Sequence, residues 1–206
     1  MVIAALLIGM GQNIMVLHLK QIAIQKGAGE RDLQMSPIYY GSATIFGLLC
    51  YVIFPPRCKE REEDNIINLW KFGVSLVAAG VAVIGSVQSN SFGAFIGINI
   101  ISAAGSGFYL PLMFVLLKAF CKEQDDGNQG QTRTEIEALR FVLPAFGIGA
   151  LIGLPIGDVL NTNFGDGSSY YLAGVTLISA CPLVLVRGNL KWCKRGRELA
   201  QDNHEP

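Results

Sequence analysis

The chain has 206 residues, 51% of them hydrophobic and only 16% charged, well under the roughly 25% charged residues of soluble domains, and its mean hydropathy is +0.41. Sixteen basic and sixteen acidic residues cancel, and no basic stripe interrupts the apolar blocks, so a nucleic-acid partner is not expected. Few charges and 24 glycines exclude disorder, collagen and coiled coil, and point to helices packed closely in lipid, where small residues let backbones approach.

Six apolar runs follow in order, each near the 20 residues that cross a hydrocarbon core of about 30 Å. They are 1–24, 33–54 (closed by Pro55-Pro56), 67–87, 92–120, 136–160 and 169–186. Strands of a membrane barrel would be about 10 residues long with alternating polarity, and these runs are longer and uniformly apolar. The expected fold class is therefore an all-α membrane protein of six transmembrane helices, one domain over 1–199. A Gly-, Gln- and Asp-rich loop at 121–134 and a polar tail at 200–206 complete the chain. The first run begins at Met1 with no basic leader, and continues past His18 and Lys20; it reads as a membrane span rather than a signal peptide.

Thirteen of the sixteen basic residues collect on one side of this arrangement, in 57–71, 118–140 and 187–197, leaving Lys20, Lys26 and Arg31 on the other. Lys and Arg concentrate on cytoplasmic loops, so both termini are expected in the cytosol, with the protein multi-pass in the plasma membrane. The five cysteines show no CxxC or Cys/His spacing, so neither a disulfide framework nor a zinc site is expected. Cys193, just past the last run, is a candidate for S-palmitoylation or a plain cytosolic thiol.

Polar residues inside membrane helices turn inward, because a polar group facing lipid is costly. Helical spacing puts Ser102, Ser106 and Tyr109 on one stripe, and Ser36, Tyr40 and Thr44 on another. In the first run, Asn13 pairs with Lys20 and Gly11 with His18 at the same seven-residue interval. Other roles are open to these residues. Serines in membrane helices also bond their own i−4 carbonyl and merely pack, tyrosines also anchor at the membrane surface, and Asp158 lies two residues from the end of its run. The pairs Gly9-x-Gly11 and Gly105-x-Gly107 form a weak internal echo.

Six helices with both ends inside match one half of a major facilitator transporter, each half being two inverted three-helix repeats. The segments Gly105-Ser106-Gly107-Phe108-Tyr109-Leu110-Pro111, Leu151-Ile152-Gly153-Leu154-Pro155-Ile156-Gly157-Asp158 and Tyr170-Tyr171-Leu172-Ala173-Gly174 resemble spans ten, eleven and twelve of the monocarboxylate transporter family. The first two runs resemble spans seven and eight more loosely. The resemblance covers nearly the whole chain, as the C-terminal half of that family's fold. It implies a secondary carrier of small organic anions such as monocarboxylates, with helices one, two, four and five around a central cavity. Substrate-binding candidates are then Asn13, His18, Ser36, Tyr40, Ser106 and Tyr109, with Asp158 a candidate for the coupling ion. The family's D-x-x-G-R in span eight is absent, since Ser42–Leu49 has no charged residue, which puts proton coupling by that pair in doubt.

No Gly-rich phosphate loop, HExxH or nucleophile elbow occurs in the sequence, so neither enzymatic activity nor a cofactor or metal is expected. A six-helix half holds only one wall of a cavity. Transport is expected to need a second half or another copy, and without one the serine stripe would meet lipid. The alternative is a truncated, non-transporting membrane fragment that acts, if at all, by associating with other membrane proteins.

Overall fold

The computed structural model describes residues 1–28, 35–53, 62–122, 131–165 and 167–202, with backbone alone at 35, 36, 38–40, 50, 51, 62–64, 120–122, 131–138 and 187–202. Six helices follow one another: α1 (Val2–Gln25), α2 (Met35–Ile53), α3 (Glu62–Val87), α4 (Phe92–Lys122), α5 (Gln131–Phe164) and α6 (Ser168–Asp202). No strand occurs among the described residues. Stretches within α1, α3, α4, α5 and α6 are long and apolar enough to cross a membrane. The 19 residues of α2 contain no charged side chain and reach about 28 Å at 1.5 Å per residue, close to a bilayer core of about 30 Å. The protein is an all-α, multi-pass membrane protein.

Helix ends depart from the hydropathy reading. α3 starts at Glu62 rather than Ile67, and α4 and α5 take Cys121, Lys122 and residues 131–134 out of the expected loop. α6 does not stop at Val186 but runs on to Asp202, into the first three residues of the polar tail. The cause is general: hydropathy marks where a helix leaves the hydrocarbon, whereas the i→i−4 ladder continues into water as long as the sequence tolerates it.

The helices pack as two interchangeable triplets. α1 lies against α5 and α6, α4 lies against α2 and α3, and α3 lies against α6. Exchanging α1–α3 with α4–α6 maps these contacts onto one another. The exchange holds residue by residue at glycines 94 positions apart (11 and 105, 73 and 167, 80 and 174). Gly11 packs on Ala173 as Gly105 packs on Ala79; Gly80 meets Ile178 as Gly174 meets Ile84; Gly73 meets Cys181 as Gly167 meets Val87. Along α3 these partners ascend while along α6 they descend, so the two helices are antiparallel and cross at Gly80 and Gly174. A Cβ at Gly80 would sit 2.8 Å from the Gly174 carbonyl, and one at Gly174 2.6 Å from the Gly80 carbonyl. Only hydrogen side chains allow that separation, and the backbones touch through dispersion contacts that lipid cannot replace.

The core between the triplets is apolar, with Ile8, Ile14, Met15 and Leu19 of α1, Phe72 and Leu76 of α3, and Tyr109 and Leu112 of α4 fully enclosed. At one end of the bundle Gly27, with φ +91°, turns the chain out of α1, a backbone conformation that costs an L side chain about 1–2 kcal/mol. The preceding Lys26 ammonium donates to the carbonyls of Val87 (2.6 Å) and Ser89 (2.7 Å). Carbonyls at the end of a helix lack intrahelical donors and carry the negative end of its dipole, so a cation there is doubly favoured. Lys26→Met is expected to lower stability by about 1 kcal/mol and Lys26→Arg by less. Thermal unfolding in detergent checks this, and equal midpoints for wild type and Lys26→Met would show the contact to be idle.

Candidate functional site

Among the described residues, two clusters of polar side chains join different helices, one in the core and one near an end of the bundle. The first is at the crossing of α1 and α4, where Gln12 faces Ser106, its own counterpart 94 residues on. The Gln12 Oε1 accepts from Tyr109 Oη at 2.6 Å and from Ser106 Oγ at 3.2 Å. Ser106 Oγ also lies 3.0 Å from the carbonyl of Ser102 in its own helix, and Ser102 Oγ donates to the Met15 sulfur at 3.4 Å. All four polar side chains are buried, Gln12 at 7% exposure and Tyr109 at 0%. The Phe72 ring meets Tyr109 edge-on at 6.2 Å, and Tyr170 of α6 donates to the Met15 carbonyl at 2.9 Å. A phenol buried this way brings a large apolar body and a hydrogen-bonding tip to the same place.

These positions revise two expectations. Tyr109 is not an anchor at the membrane surface but part of the core. The stripe of Ser102 and Ser106 does not face lipid or await a second half; α1 covers it, and its hydroxyls are bonded inside the chain. Asn13, one residue from Gln12, turns back on its own helix and donates to the Gly9 carbonyl at 2.9 Å. Ser36 and Tyr40 lie on α2, with side chains outside the described residues.

The second cluster joins α1, α5 and α6 near the end of the bundle where Lys26 lies. His18 is buried, at 6% side-chain exposure, and its Nε2 is 3.6 Å from the carboxylate of Asp158, which is 76% exposed. Nδ1 of the same ring lies 3.2 Å from Gln21 Oε1 and 3.1 Å from Asn161 Nδ2. Asn161 in turn accepts from the Ser169 backbone N–H at 3.1 Å and from Ser168 Oγ at 3.3 Å, so it caps the start of α6. The ring fits against α5 because residue 157 is glycine: a Cβ there would be 2.7 Å from Nε2. Asp158 thus stands at the surface of the chain with a buried imidazole behind it.

The structure therefore brings Ser106 and Tyr109 together, and separately His18 and Asp158, and puts Asn13 in neither cluster. Sequence reasoning missed Gln12, Gln21 and Asn161. A lone glutamine in the middle of an apolar run was a signal for the first, since an intramembrane amide must find a partner. Asn161 lies one residue beyond the apolar run that ends at 160, whereas α5 continues to Phe164. Among the described residues no group of three or more metal-ligating side chains is brought together. Comparison with protein-family models, with curated proteins and with solved structures finds no match to this chain.

Proposed function

We propose that the chain is one six-helix half of a secondary carrier of the major facilitator type, similar to the C-terminal half of monocarboxylate transporters. It would move small organic anions by alternating access, without covalent chemistry. The observation that carries this reading is the exchange of α1–α3 with α4–α6 across the antiparallel Gly80–Gly174 crossing. Two three-helix units related in that way are the inverted repeats from which each half of such carriers is built. On this reading both termini and the basic loops lie in the cytosol, the membrane is the plasma membrane, and a second half or another copy supplies the facing wall of the pathway.

A second reading has its own support. The polar side chains of α1 and α4 that could have lined a pathway bond to one another inside the half, at Gln12, Ser106 and Tyr109, with Ser102 on the Met15 sulfur. A unit so self-contained suits a non-transporting membrane fragment that only associates with other membrane proteins.

Uptake of labelled lactate or pyruvate into vesicles separates the two. Saturable uptake is expected when the chain is present with a complementary six-helix half or at a density that favours self-association, and little when it is dilute and alone. A flat signal under all these conditions, with correctly inserted protein, would leave the fragment reading. Dependence on an imposed pH gradient then reports whether a proton travels with the anion.

A further inference from the structure

α2 contains no charged side chain, but an ionisable pair stands between α1 and α5, and its hydrogen bonds fix more than its position. Asn161 Oδ1 is bound by the Ser169 backbone N–H, a group that can only donate. The amide oxygen must therefore face α6, and the NH2 must face His18. That NH2 is also only a donor, so the Nδ1 it reaches at 3.1 Å presents a lone pair. A neutral His18 then carries its hydrogen on Nε2. Nε2 is enclosed with no hydrogen-bond partner, and the Asp158 carboxylate lies 3.6 Å from it.

One partner is left over. Gln21 Oε1 is 3.2 Å from the same Nδ1, an acceptor facing a lone pair. That contact is unfavourable while the ring is neutral and favourable once Nδ1 bears a hydrogen. Both nitrogens of a charged imidazolium would thus find acceptors in place, Gln21 for Nδ1–H and Asp158 for Nε2–H. A larger ligand cannot reach the ring, because the backbone at Gly157 closes over Nε2. A proton needs no such room, and Gln21 beside Nδ1 is exposed.

We propose that His18, Gln21, Asn161 and Asp158 form a proton-binding site at the junction of α1, α5 and α6. The incoming proton adds to the Nδ1 lone pair, Nε2 keeps its hydrogen, and no other covalent bond changes. Binding exchanges Asn161 for Gln21 as the partner of Nδ1 and draws Nε2–H toward Asp158. Since Asn161 also holds Ser168 and Ser169, the exchange is felt at the turn between α5 and α6. Among the described residues, the other titratable groups of these helices near this end are committed or turned away. Lys20 is exposed, Lys26 is bound by the Val87 and Ser89 carbonyls, Tyr170 donates to Met15, and Tyr171 is exposed. The proposal rests on the carrier reading for the use of the proton, as coupling ion, and not for where it binds.

The test is nitrogen NMR of the full chain in lipid nanodiscs with 15N-labelled histidine. The chain has two histidines, His18 and His204, and His18→Gln identifies the signals. Neutral His18 is expected as the Nε2–H tautomer alone, and acidification should protonate both nitrogens. Asn161→Leu should give mixed tautomers. A wild-type ring with its hydrogen on Nδ1, or one that stays singly protonated to the acid limit of folding, overturns the proposal even if no variant folds. Flux is read separately: absent uptake in vesicles strikes the carrier reading and leaves the NMR result standing.

Discussion

Gly107→Leu is expected to remove the folded state, while Gly97→Leu on the same helix should leave it intact. A Cβ at Gly107 would run into the carbonyl of Ala43 and the backbone of Gly47 across the α2–α4 contact, whereas at Gly97 it would meet nothing within 4 Å. Leucine is the better helix former by about 1 kcal/mol at either site, so propensity predicts a gain for both. Overpacking costs about 1–3 kcal/mol where side chains can give way. At Gly107 the obstacle is backbone, which can yield only by separating α2 from α4. The steric term wins, and the upper end of that range is a floor. Gel filtration and thermal unfolding in detergent should show loss of the monodisperse, cooperatively melting species for the first variant and a near-wild-type profile for the second. Equal behaviour of the two would mean that α2 is not seated on α4 as described.

The next largest effect is expected at Gln12. Gln12→Leu keeps the volume but withdraws the acceptor shared by Tyr109 and Ser106. Hydrogen bonds between membrane helices are worth about 0.6 kcal/mol on average and up to about 1.7, so two of them to one oxygen set a loss of roughly 1–3 kcal/mol. Tyr109→Phe alone removes the bond to Gln12 and should cost about 1 kcal/mol. The double variant decides the matter, because groups in one network do not add. With Gln12 already replaced, Tyr109→Phe should cost little more. Strict additivity in unfolding measurements would mean that the 2.6 Å contact carries no energy.

How much of this was legible in the sequence varies with the range of the interaction. The six helices could be read because burial in lipid acts on runs of about 20 residues, whatever their neighbours. Their ends could not, since Glu62, Gln131 and Asp202 lie in polar sequence where only the backbone ladder decides. The stripe of Ser102, Ser106 and Tyr109 followed from the helical period, but its partner Gln12 has no periodic companion in α1, and the pairing arises from a helix crossing. His18 and Asp158 were each singled out, with separate roles, because nothing local ties positions so far apart in the chain. The echo of Gly9-x-Gly11 in Gly105-x-Gly107 was visible, but in a shifted register. Packing matches Gly11 with Gly105, because both sit on the alanine of the facing third helix.

The continuous α6 has a mechanical consequence. From Val186, where its apolar stretch ends, to Asp202 it extends a further 16 residues, about 24 Å at 1.5 Å per residue. An unbroken rod of that length is a lever whose fulcrum lies in the bilayer. A lean of about 10° would swing its far tip by about 4 Å. A label near that tip would therefore register rearrangements of the embedded bundle as displacements large enough to follow by distance-sensitive spectroscopy.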